Sequence, residues 1–348
     1  MENPNNFPVL SRTHNNILLI TLNRASALNS LNLEMLGILS QITQEAEKSN
    51  SPIIFIGEGR AFCAGGDIVS IAKGDTSPEE FFGSEFTYFH YLSRLHTERI
   101  AIMDGIVMGG GVGLSMACSK RIATPKTLWA MPETAIGFTP DVGSTYFLNR
   151  INPPELGLYL ALTGDRLSGV DCFLFGIADY YIENSIETVK NQLIQEDFAT
   201  VLARHHTDPN PSNSKIMQNI QNIRYCFETH GNLEGILGKL NNLNNQWSTQ
   251  VLEKLQEMCP LSLRIAYESF NRGRHMNYAE CLIMEYNLVI QLTKHRNYNF
   301  KEAVTHKFIN KAKGKPNWNP SSISEVGDSL TLSYFLNTEG PRLSLPRL

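Results

Sequence analysis

Two acidic residues stand eight positions apart in a stretch that is otherwise apolar and rich in proline and glycine. Residues 131–137 read MPETAIG and residues 140–143 read PDVG, so the two acids are Glu133 and Asp141. A carboxylate in apolar surroundings is costly unless it is paired or used in chemistry. We therefore take Glu133 and Asp141 as candidate catalytic residues.

A cluster of glycines precedes these acids in the chain. Residues 108–113 read MGGGVG, after an apolar run over residues 100–107 and before a helix-like run over residues 114–118. Glycines between a strand and a helix let backbone N–H groups approach a ligand oxygen at the positive end of the helix. N–H donors on one side and a carboxylate on the other are the parts needed to attack a carbonyl group.

The spacing of apolar residues predicts the elements that position these groups. An amphipathic helix is predicted over residues 33–46, packed on a sheet. Alternating strands and helices indicate an α/β layered core with active-site loops at the strand ends. We predict strands over residues 16–22, 52–56, 100–108 and 121–130 and a glycine-rich loop over residues 57–66. Residues 170–178 and 180–183 are expected to complete this α/β unit, without a secondary structure assigned to them.

The character of the sequence changes near residue 200. Residues 204–215 contain the turn-forming run DPNPS, and helical patterns follow it. We therefore divide the chain into a core over residues 1–203 and a mainly helical C-terminal region over residues 204–348 that packs on the core.

Composition narrows the classes of partner. The net charge of −4 lacks the excess of positive charge that is typical of a nucleic-acid-binding protein. No apolar run reaches the roughly 18 residues needed to span a bilayer. The first eight residues are polar and lack a signal sequence, so we expect a cytoplasmic protein without membrane partners. The final Pro346-Arg347-Leu348 loosely resembles a peroxisomal address, but a match of this length arises easily by accident.

Several familiar site motifs are missing. The six cysteines form no C-x-x-C pair, which favours reduced, buried thiols over disulfides or zinc, and Cys63 reads as a packed residue rather than a nucleophile. The His205-His206 pair lies beside prolines and indicates a surface loop, so no metal site is predicted. Neither a G-x-S-x-G elbow nor a G-x-x-x-x-G-K-[ST] phosphate loop occurs.

Three glycine- and acid-bearing segments together carry a family resemblance. Residues 61–68 (AFCAGGDI), 105–115 (GIVMGGGVGLS) and 131–137 resemble the crotonase (enoyl-CoA hydratase/isomerase) superfamily and, within it, the 3-hydroxyisobutyryl-CoA hydrolase branch. The resemblance is strong over residues 16–182. It continues more weakly at residues 259–263, 284–286, 299–304 and 315–320.

The resemblance implies a spiral of ββα units that binds an acyl-CoA. Its thioester carbonyl would lie between the N–H groups of Gly66 and Gly110, which would form the oxyanion hole. Glu133 matches one of the two hydratase glutamates, and Asp141 matches the aspartate of the hydrolase branch. Glu85 matches an acid of the substrate pocket. No cofactor is implied, because coenzyme A is part of the substrate.

The chain also departs from the family patterns. Gly113 stands where hydratases carry their second glutamate, which counts against hydration of an alkene. Polar Ser144 and Thr145 replace the usual glycines after the PDVG segment, and Phe138-Thr139 replaces the usual leucine. We expect these changes to reshape the acyl pocket while the reaction type is retained.

The function that the resemblance implies is hydrolysis of the thioester of a short, branched β-hydroxyacyl-CoA, above all 3-hydroxyisobutyryl-CoA in valine breakdown. The alternatives are an enoyl-CoA hydratase or isomerase, and a non-catalytic acyl-CoA-binding protein. Arg24 and Lys73 are candidates for contacts to the CoA phosphates. The sequence leaves open the oligomeric state, the exact acyl group, and whether Glu133 acts as a base or as a nucleophile.

Overall fold

Strands of the N-terminal half are distributed over two sheets. The computed structural model describes residues 7–294, 298–336 and 342–345, so the C-terminal tripeptide discussed above lies outside the described residues. The strands are β1 (Val9–His14), β2 (Ile17–Leu22), β3 (Ile53–Gly57), β4 (Ala61–Cys63), β5 (Arg99–Met103), β6 (Ile106–Met108), β7 (Lys120–Ala123), β8 (Leu128–Ala130), β9 (Leu167–Ser168) and β10 (Tyr180–Tyr181). One sheet has the order β1-β2-β3-β5-β7-β10 and the other has the order β4-β6-β8-β9.

Successive strand pairs build a spiral. In the pairs β3–β4, β5–β6 and β7–β8, the first strand enters the larger sheet and the second enters the smaller one. Strands from successive pairs lie parallel to one another in each sheet. Each of the first two pairs is followed by helix. This arrangement confirms the predicted α/β spiral of ββα units.

Two of the predicted strands are wrong in their extent. Residues 100–108 and 121–130 were each expected to form one strand, but each contains two strands that belong to different sheets. Gly105 breaks the first run with a φ of +110°, and a turn from Thr124 to Thr127 breaks the second. Apolar periodicity does not reveal these breaks, because apolar residues stand on both sides of each turn.

Two smaller expectations also need correction. The loop predicted over residues 57–66 contains β4, and β1 pairs with β2 in a hairpin that was not predicted. The two closing segments were predicted without a secondary structure. The first contains helix from Gly169 to Leu174, and the second contains a short strand, β10.

Helices cover the sheets and form most of the C-terminal half. The predicted amphipathic helix is confirmed as the first of them, and it begins after Asn32, whose side chain accepts a hydrogen bond from the Met35 N–H. The helices are α1 (Leu33–Lys48), α2 (Ile68–Lys73), α3 (Pro78–Ser93), α4 (Gly110–Met116), α5 (Ser144–Phe147), α6 (Pro154–Thr163), α7 (Gly169–Leu174), α8 (Ile186–Leu193), α9 (Phe198–His205), α10 (Lys215–Cys226), α11 (Leu233–Leu243), α12 (Gln246–Glu257), α13 (Pro260–Gly273), α14 (Tyr278–Thr293), α15 (Tyr298–Val304) and α16 (Asp328–Leu336).

The C-terminal helices share a hydrophobic core with the sheets. One cluster of buried apolar side chains includes residues of β2, α3 and β6 as well as residues of α13 and α14. The boundary predicted between residues 203 and 204 falls inside α9. The division into two units stays a prediction.

Among the described residues, no helix combines the length and apolar character needed to cross a membrane.

Candidate active site

The glycine turn, residues 109–111, forms one wall of the site. Gly109 adopts φ +49°, in the left-handed half of the map where a side chain is disfavoured, and Gly110 is the first residue of α4. Amides at a helix start have no acceptor within the helix. A methyl group on Gly110 would lie 3.3 Å from the Gly66 nitrogen, so the two amides are neighbours. Gly66 and Gly110 are thus placed together, as the predicted oxyanion hole requires.

Glu85 lies against this pair of glycines from α3. A methyl group on Gly110 would collide with Glu85 Oε1, and one on Gly66 would lie 3.8 Å from the same oxygen. The Glu85 side chain is buried, and Oε1 has no hydrogen-bond partner. An unpartnered buried carboxyl oxygen costs free energy unless a ligand satisfies it. Glu85 is therefore placed to meet a polar group of a molecule bound at the glycines.

Glu133 approaches the glycine turn from the opposite side. It begins a short 3₁₀ turn after β8, and a methyl group on Gly109 would lie 3.2 Å from Glu133 Oε1. The neighbouring Thr134 fixes this turn, because its carbonyl accepts the Cys259 N–H at 2.9 Å and its hydroxyl donates to the Leu162 carbonyl at 3.1 Å. Glu133 is buried, and its Oε2 has no hydrogen-bond partner.

The aspartate turn, residues 141–145, carries the second candidate acid. Asp141 is buried, and its carbonyl accepts the Ser144 N–H at 2.9 Å. Val142 adopts φ +55° and Gly143 adopts φ +88°. A β-branched residue in the left-handed region is uncommon and strained, and strained backbone clusters at functional sites.

Glu285 of α14 binds the aspartate turn from far along the sequence. Its side chain is fully buried. Oε2 accepts the Gly143 N–H at 2.6 Å, and Oε1 accepts the Thr145 N–H at 2.8 Å and the Thr145 hydroxyl at 2.6 Å. Ser144 Oγ lies 3.5 Å from Oε1. We expected the polar residues at 144 and 145 to reshape the acyl pocket, but their hydroxyls face Glu285.

Burial raises the pKa of all four acids. For Glu133, burial and then the charges of Glu285 and Glu85 raise the pKa to about 8, against the hydrogen bond from its own backbone. For Asp141, burial and then the charge of Glu133 raise the pKa well above its ordinary value. Burial raises the pKa of Glu85 to about 8. It raises the pKa of Glu285 to about 7, although the hydrogen bonds from Thr145 and Gly143 oppose the change. Acids with raised pKa values suit proton transfer near neutral pH.

The proposed phosphate contacts fall in different places. Arg24 is already engaged, because it forms an ion pair with Asp67 at 2.6 Å and donates to the Ser30 carbonyl at 3.0 Å. Lys73, at the end of α2, lines a cavity of about 610 Å³ between α2, the start of α3 and α15. The same cavity is lined by Lys294 and Lys301. Its lining includes the last three residues of α2, a helix that begins two residues after Gly66 in the chain.

Other candidates from the sequence lie outside the chemistry. Cys63 is fully buried, and burial raises the pKa of its thiol to about 12, which fits the packed role expected for it. All six cysteines are buried and unpaired, as predicted. His206 lies beside Tyr181 and Asp208, and within the described part of the chain no group of three or more metal-binding side chains is placed to hold an ion.

Glu285 is the site residue that we did not predict as functional. It occurs in the run CLIMEYNLVIQL, where it is the single acid among apolar neighbours at helical spacing. An acid on the buried face of an apolar helix is the signal that could have revealed it, because such an acid needs a partner. The identity of that partner depends on contacts between α14 and a turn about 140 residues earlier in the chain.

Comparisons with known proteins show the family of the chain. The sequence model of the enoyl-CoA hydratase/isomerase family matches residues 17–335. The chain is 36% identical to "3-hydroxyisobutyryl-CoA hydrolase, mitochondrial" of Xenopus tropicalis over 343 residues, which cover 94% of this chain and 88% of that protein. It is 33% identical to "Small ribosomal subunit protein mS47" of Arabidopsis thaliana, with 93% of this chain and 85% of that protein covered.

Solved structures show the same fold. A crystal structure titled as a carnitinyl-CoA dehydratase from Mycobacterium thermoresistibile superposes with a TM-score of 0.89 at 30% identity, covering 97% of this chain and 99% of that one. The chain therefore belongs to the enoyl-CoA hydratase/isomerase family, with the crotonase fold.

Proposed function

We propose that this member of the enoyl-CoA hydratase/isomerase family hydrolyses the thioester of a short, branched β-hydroxyacyl-CoA, with 3-hydroxyisobutyryl-CoA of valine breakdown as the first candidate. The observation that carries the proposal is the buried Glu133 carboxyl, whose Oε2 lacks a partner and which lies against the glycine turn. The name of the Xenopus tropicalis relative supports the choice of acyl group.

In the proposed reaction the substrate carbonyl oxygen accepts hydrogen bonds from the Gly66 and Gly110 amides. These donors stabilise the negative charge that develops on this oxygen, and losing one such donor typically costs about 3 kcal/mol. In one route Glu133 removes a proton from a water molecule while the water oxygen attacks the carbonyl carbon. In the other route the Glu133 carboxylate attacks that carbon directly and gives an anhydride, which water then cleaves. In the first route the carbon–sulfur bond then breaks and the departing thiolate takes the proton from Glu133. In the second route this bond breaks as the anhydride forms, and the thiolate takes a proton from water.

Glu85 and Asp141 would recognise the rest of the acyl group. Their position around the glycines and Glu133 suits a hydrogen bond to the β-hydroxyl of the substrate, and Asp141 is also suited to positioning the water. Coenzyme A would extend into the cavity lined by Lys73, Lys294 and Lys301, because lysine side chains bind phosphate well. No further cofactor is required for this reaction.

Two alternatives are tested alongside the main proposal. Hydration or dehydration on the same fold is disfavoured, because Gly113 has no carboxylate and its Cα is packed against Phe89 and Val142. A non-catalytic role is raised by the relative named as a ribosomal protein. The unpartnered oxygens of Glu85 and Glu133 oppose it, because buried acids that serve no chemistry lower stability.

The test is incubation of the purified chain with a panel of acyl-CoA thioesters, including 3-hydroxyisobutyryl-CoA, isobutyryl-CoA and crotonyl-CoA. Release of free thiol is measured in parallel with the absorbance of the α,β-unsaturated thioester. Glu133→Gln is the inactive variant, and Glu253→Gln, an exposed position on α12, is the matched control. We expect thiol release from the hydroxyacyl thioester. Loss of unsaturation without thiol release would favour a hydratase, and binding without turnover would favour the non-catalytic role.

The location of the protein stays a prediction. The sequence led us to expect the cytoplasm, whereas several relatives carry "mitochondrial" in their names. Fractionation of cells that express the untagged chain, with immunodetection in each fraction, would decide between the two compartments.

A further inference from the structure

A carboxylate from the C-terminal half occupies the hydrogen-bonding groups of the aspartate turn. Both oxygens of Glu285 accept donors from this turn, at 2.6 Å from the Gly143 N–H and at 2.8 and 2.6 Å from the Thr145 N–H and hydroxyl. Bonds from backbone N–H groups favour the charged form of a carboxyl group. Among the buried acids of the described residues, Asp171 also accepts hydrogen bonds on both oxygens, whereas Glu85 and Glu133 each have one oxygen without a partner.

The turn that Glu285 holds is strained. Val142 adopts φ +55°, and a valine in that region persists only where the surroundings impose it. Two contacts impose it here. Glu285 fixes the amides at 143 and 145, and the ring of Tyr278, also on α14, packs so closely on Gly143 that any side chain there would collide with it.

We propose that Glu285 is a positioning residue that holds the aspartate turn in its strained conformation and thereby places the Asp141 carboxyl for the reaction. It acts through the turn and touches no substrate atom. The proposal rests on the role proposed for Asp141, and it adds that α14 of the C-terminal half is part of the catalytic apparatus.

Glu285→Gln tests the proposal because an amide cannot replace both oxygens. One end of the glutamine would present N–H groups to the Gly143 or Thr145 N–H, so one donor would lose its acceptor. A misplacement of about 1 Å in a reacting group can lower turnover by about 100-fold. We therefore expect kcat to fall at least ~10-fold while KM changes little, since the CoA cavity lies elsewhere.

Two Thr145 variants isolate a single hydrogen bond. Thr145→Ser keeps the hydroxyl that donates to Glu285, and Thr145→Val removes it at nearly constant volume. We expect kcat of the serine variant to stay close to wild type and kcat of the valine variant to fall to a value between wild type and Glu285→Gln. Equal activity of the two variants would contradict a role for this bond in positioning.

The pH profile separates positioning from general loss of structure. The titratable groups that face Glu285 are Asp141 and Glu133 from the neighbouring turns and Tyr278 and Cys281 from its own helix. The charge of Glu285 raises the pKa of both Glu133 and Asp141. We expect the acid limb of the kcat profile to move to lower pH in Glu285→Gln. A uniform drop at every pH, in proportion to the folded fraction, would overturn the proposal.

Hydrogen exchange provides a readout that needs no activity. The Gly143 and Thr145 amides are protected by Glu285, so peptides that cover residues 141–147 are expected to exchange faster in Glu285→Gln than in wild type or in Glu253→Gln. If the wild-type chain cleaves no thioester but exchange follows this pattern, the proposed function fails, and Glu285 is shown to hold the conformation of the aspartate turn. Unchanged exchange together with unchanged kcat in folded Glu285→Gln would refute the positioning role itself.

Discussion

The glycine turn and the aspartate turn face the same site but are held in different ways. The glycine turn depends on missing side chains: methyl groups added to Gly110 and Gly111 would collide with Glu85 and with the Cys63 backbone. The aspartate turn depends on an added side chain, because Glu285 binds its amides from α14. The glycine turn therefore depends on glycines at fixed positions within the turn itself, and the aspartate turn depends on the packing of a distant helix.

This difference identifies what the C-terminal helices contribute. Gly137 follows Glu133 with φ +68°, and a methyl group there would lie 2.6 Å from the carbonyl carbon of Asn299 at α15. The Cys259 N–H, at the start of α13, binds the Thr134 carbonyl. Each turn that carries a candidate catalytic acid is thus in contact with the C-terminal half. The N-terminal half carries the candidate donors and the candidate acids, and the C-terminal half contacts both turns that bear Glu133 and Asp141.

The largest effect is expected for Glu133, which faces the glycine turn. Glu133→Gln should keep the fold and lose at least ~100-fold in thioester turnover, the scale that removal of a general base produces. Because burial raises the pKa of Glu133 to about 8, wild-type kcat/KM should rise with pH up to about that value as the carboxyl ionises. Thiol release over a pH series measures both expectations.

Glu253→Gln should retain wild-type turnover in the same series. Near-normal turnover of correctly folded Glu133→Gln would remove Glu133 from the mechanism. In that case the catalytic acid would have to lie on the aspartate turn, and the glycine turn would only bind the carbonyl group.

A substitution at Gly113 tests the contact between α4, which follows the glycine turn, and the aspartate turn. A methyl group there would lie 2.6 Å from the Phe89 ring and 2.7 Å from Val142 Cβ, so α4 packs directly on the strained valine. Overpacking of this kind typically costs about 1–3 kcal/mol, and a carboxylate buried against Phe89 and Val142 without a partner adds a further cost. We expect Gly113→Glu to lower hydrolysis at least ~10-fold and to give little hydration of crotonyl-CoA.

Both activities are measured on the same variant, with Gly113→Ala as the partner variant that adds bulk without charge. If Gly113→Glu hydrates crotonyl-CoA efficiently, this position alone separates hydrolysis from hydration, and the surrounding packing matters less than we argue. If Gly113→Ala retains hydrolysis while Gly113→Glu does not, the single added methyl group is tolerated, and Gly113→Gln, which matches glutamate in size without its charge, separates charge from bulk.

The comparison of the two turns also explains what the sequence could predict. Gly66, Gly110 and Glu133 were predicted because each lies in a short segment that resembles a motif of the family. The structure places them close to one another, and their catalytic roles stay predictions. Glu285 was not predicted as functional because its partners are fixed only by the packing of α14.

The sheets show the same limit. The amphipathic helix α1 was predicted correctly because its period of 3.6 residues is local and one face is exposed. Residues 100–108 and residues 121–130 were each predicted as one strand, because apolar residues stand on both sides of the short turn in each run. Assignment of each strand to its sheet requires long-range pairing.

The next largest effect is expected on the preference for a substrate with a β-hydroxyl group, which either Glu85 or Asp141 could bind. Without a hydroxyl partner the buried acids stay unsatisfied, at a cost of about 1–3 kcal/mol, so kcat/KM for 3-hydroxyisobutyryl-CoA should exceed that for isobutyryl-CoA by roughly 10-fold or more. Equal values would refute the assignment of Glu85 and Asp141 to the acyl group. Comparing Glu85→Gln with Asp141→Asn shows which wall provides the preference, because only the variant at the binding acid should lose it.

The smallest effect is on stability, and it contrasts an unpartnered acid with a partnered one. Burial raises the pKa of Glu85 to about 8, against an ordinary value of 4.5. Below pH 4.5 the folded and unfolded states both hold the proton. Between 4.5 and about 8 only the folded state holds it, so the free energy of unfolding falls as pH rises through this window. Glutamine does not titrate, so the Tm of Glu85→Gln relative to that of wild type should rise by a few degrees as the pH is raised from 5 to 8.5.

Glu285→Gln should instead lower Tm at both pH values, because it leaves a donor of the aspartate turn unsatisfied. Thermal unfolding of the two variants and of Glu253→Gln at both pH values measures the contrast. A Tm difference for Glu85→Gln that does not change with pH would show that Glu85 is hydrated or partnered in solution, and the distinction between the two walls would then lie in geometry alone.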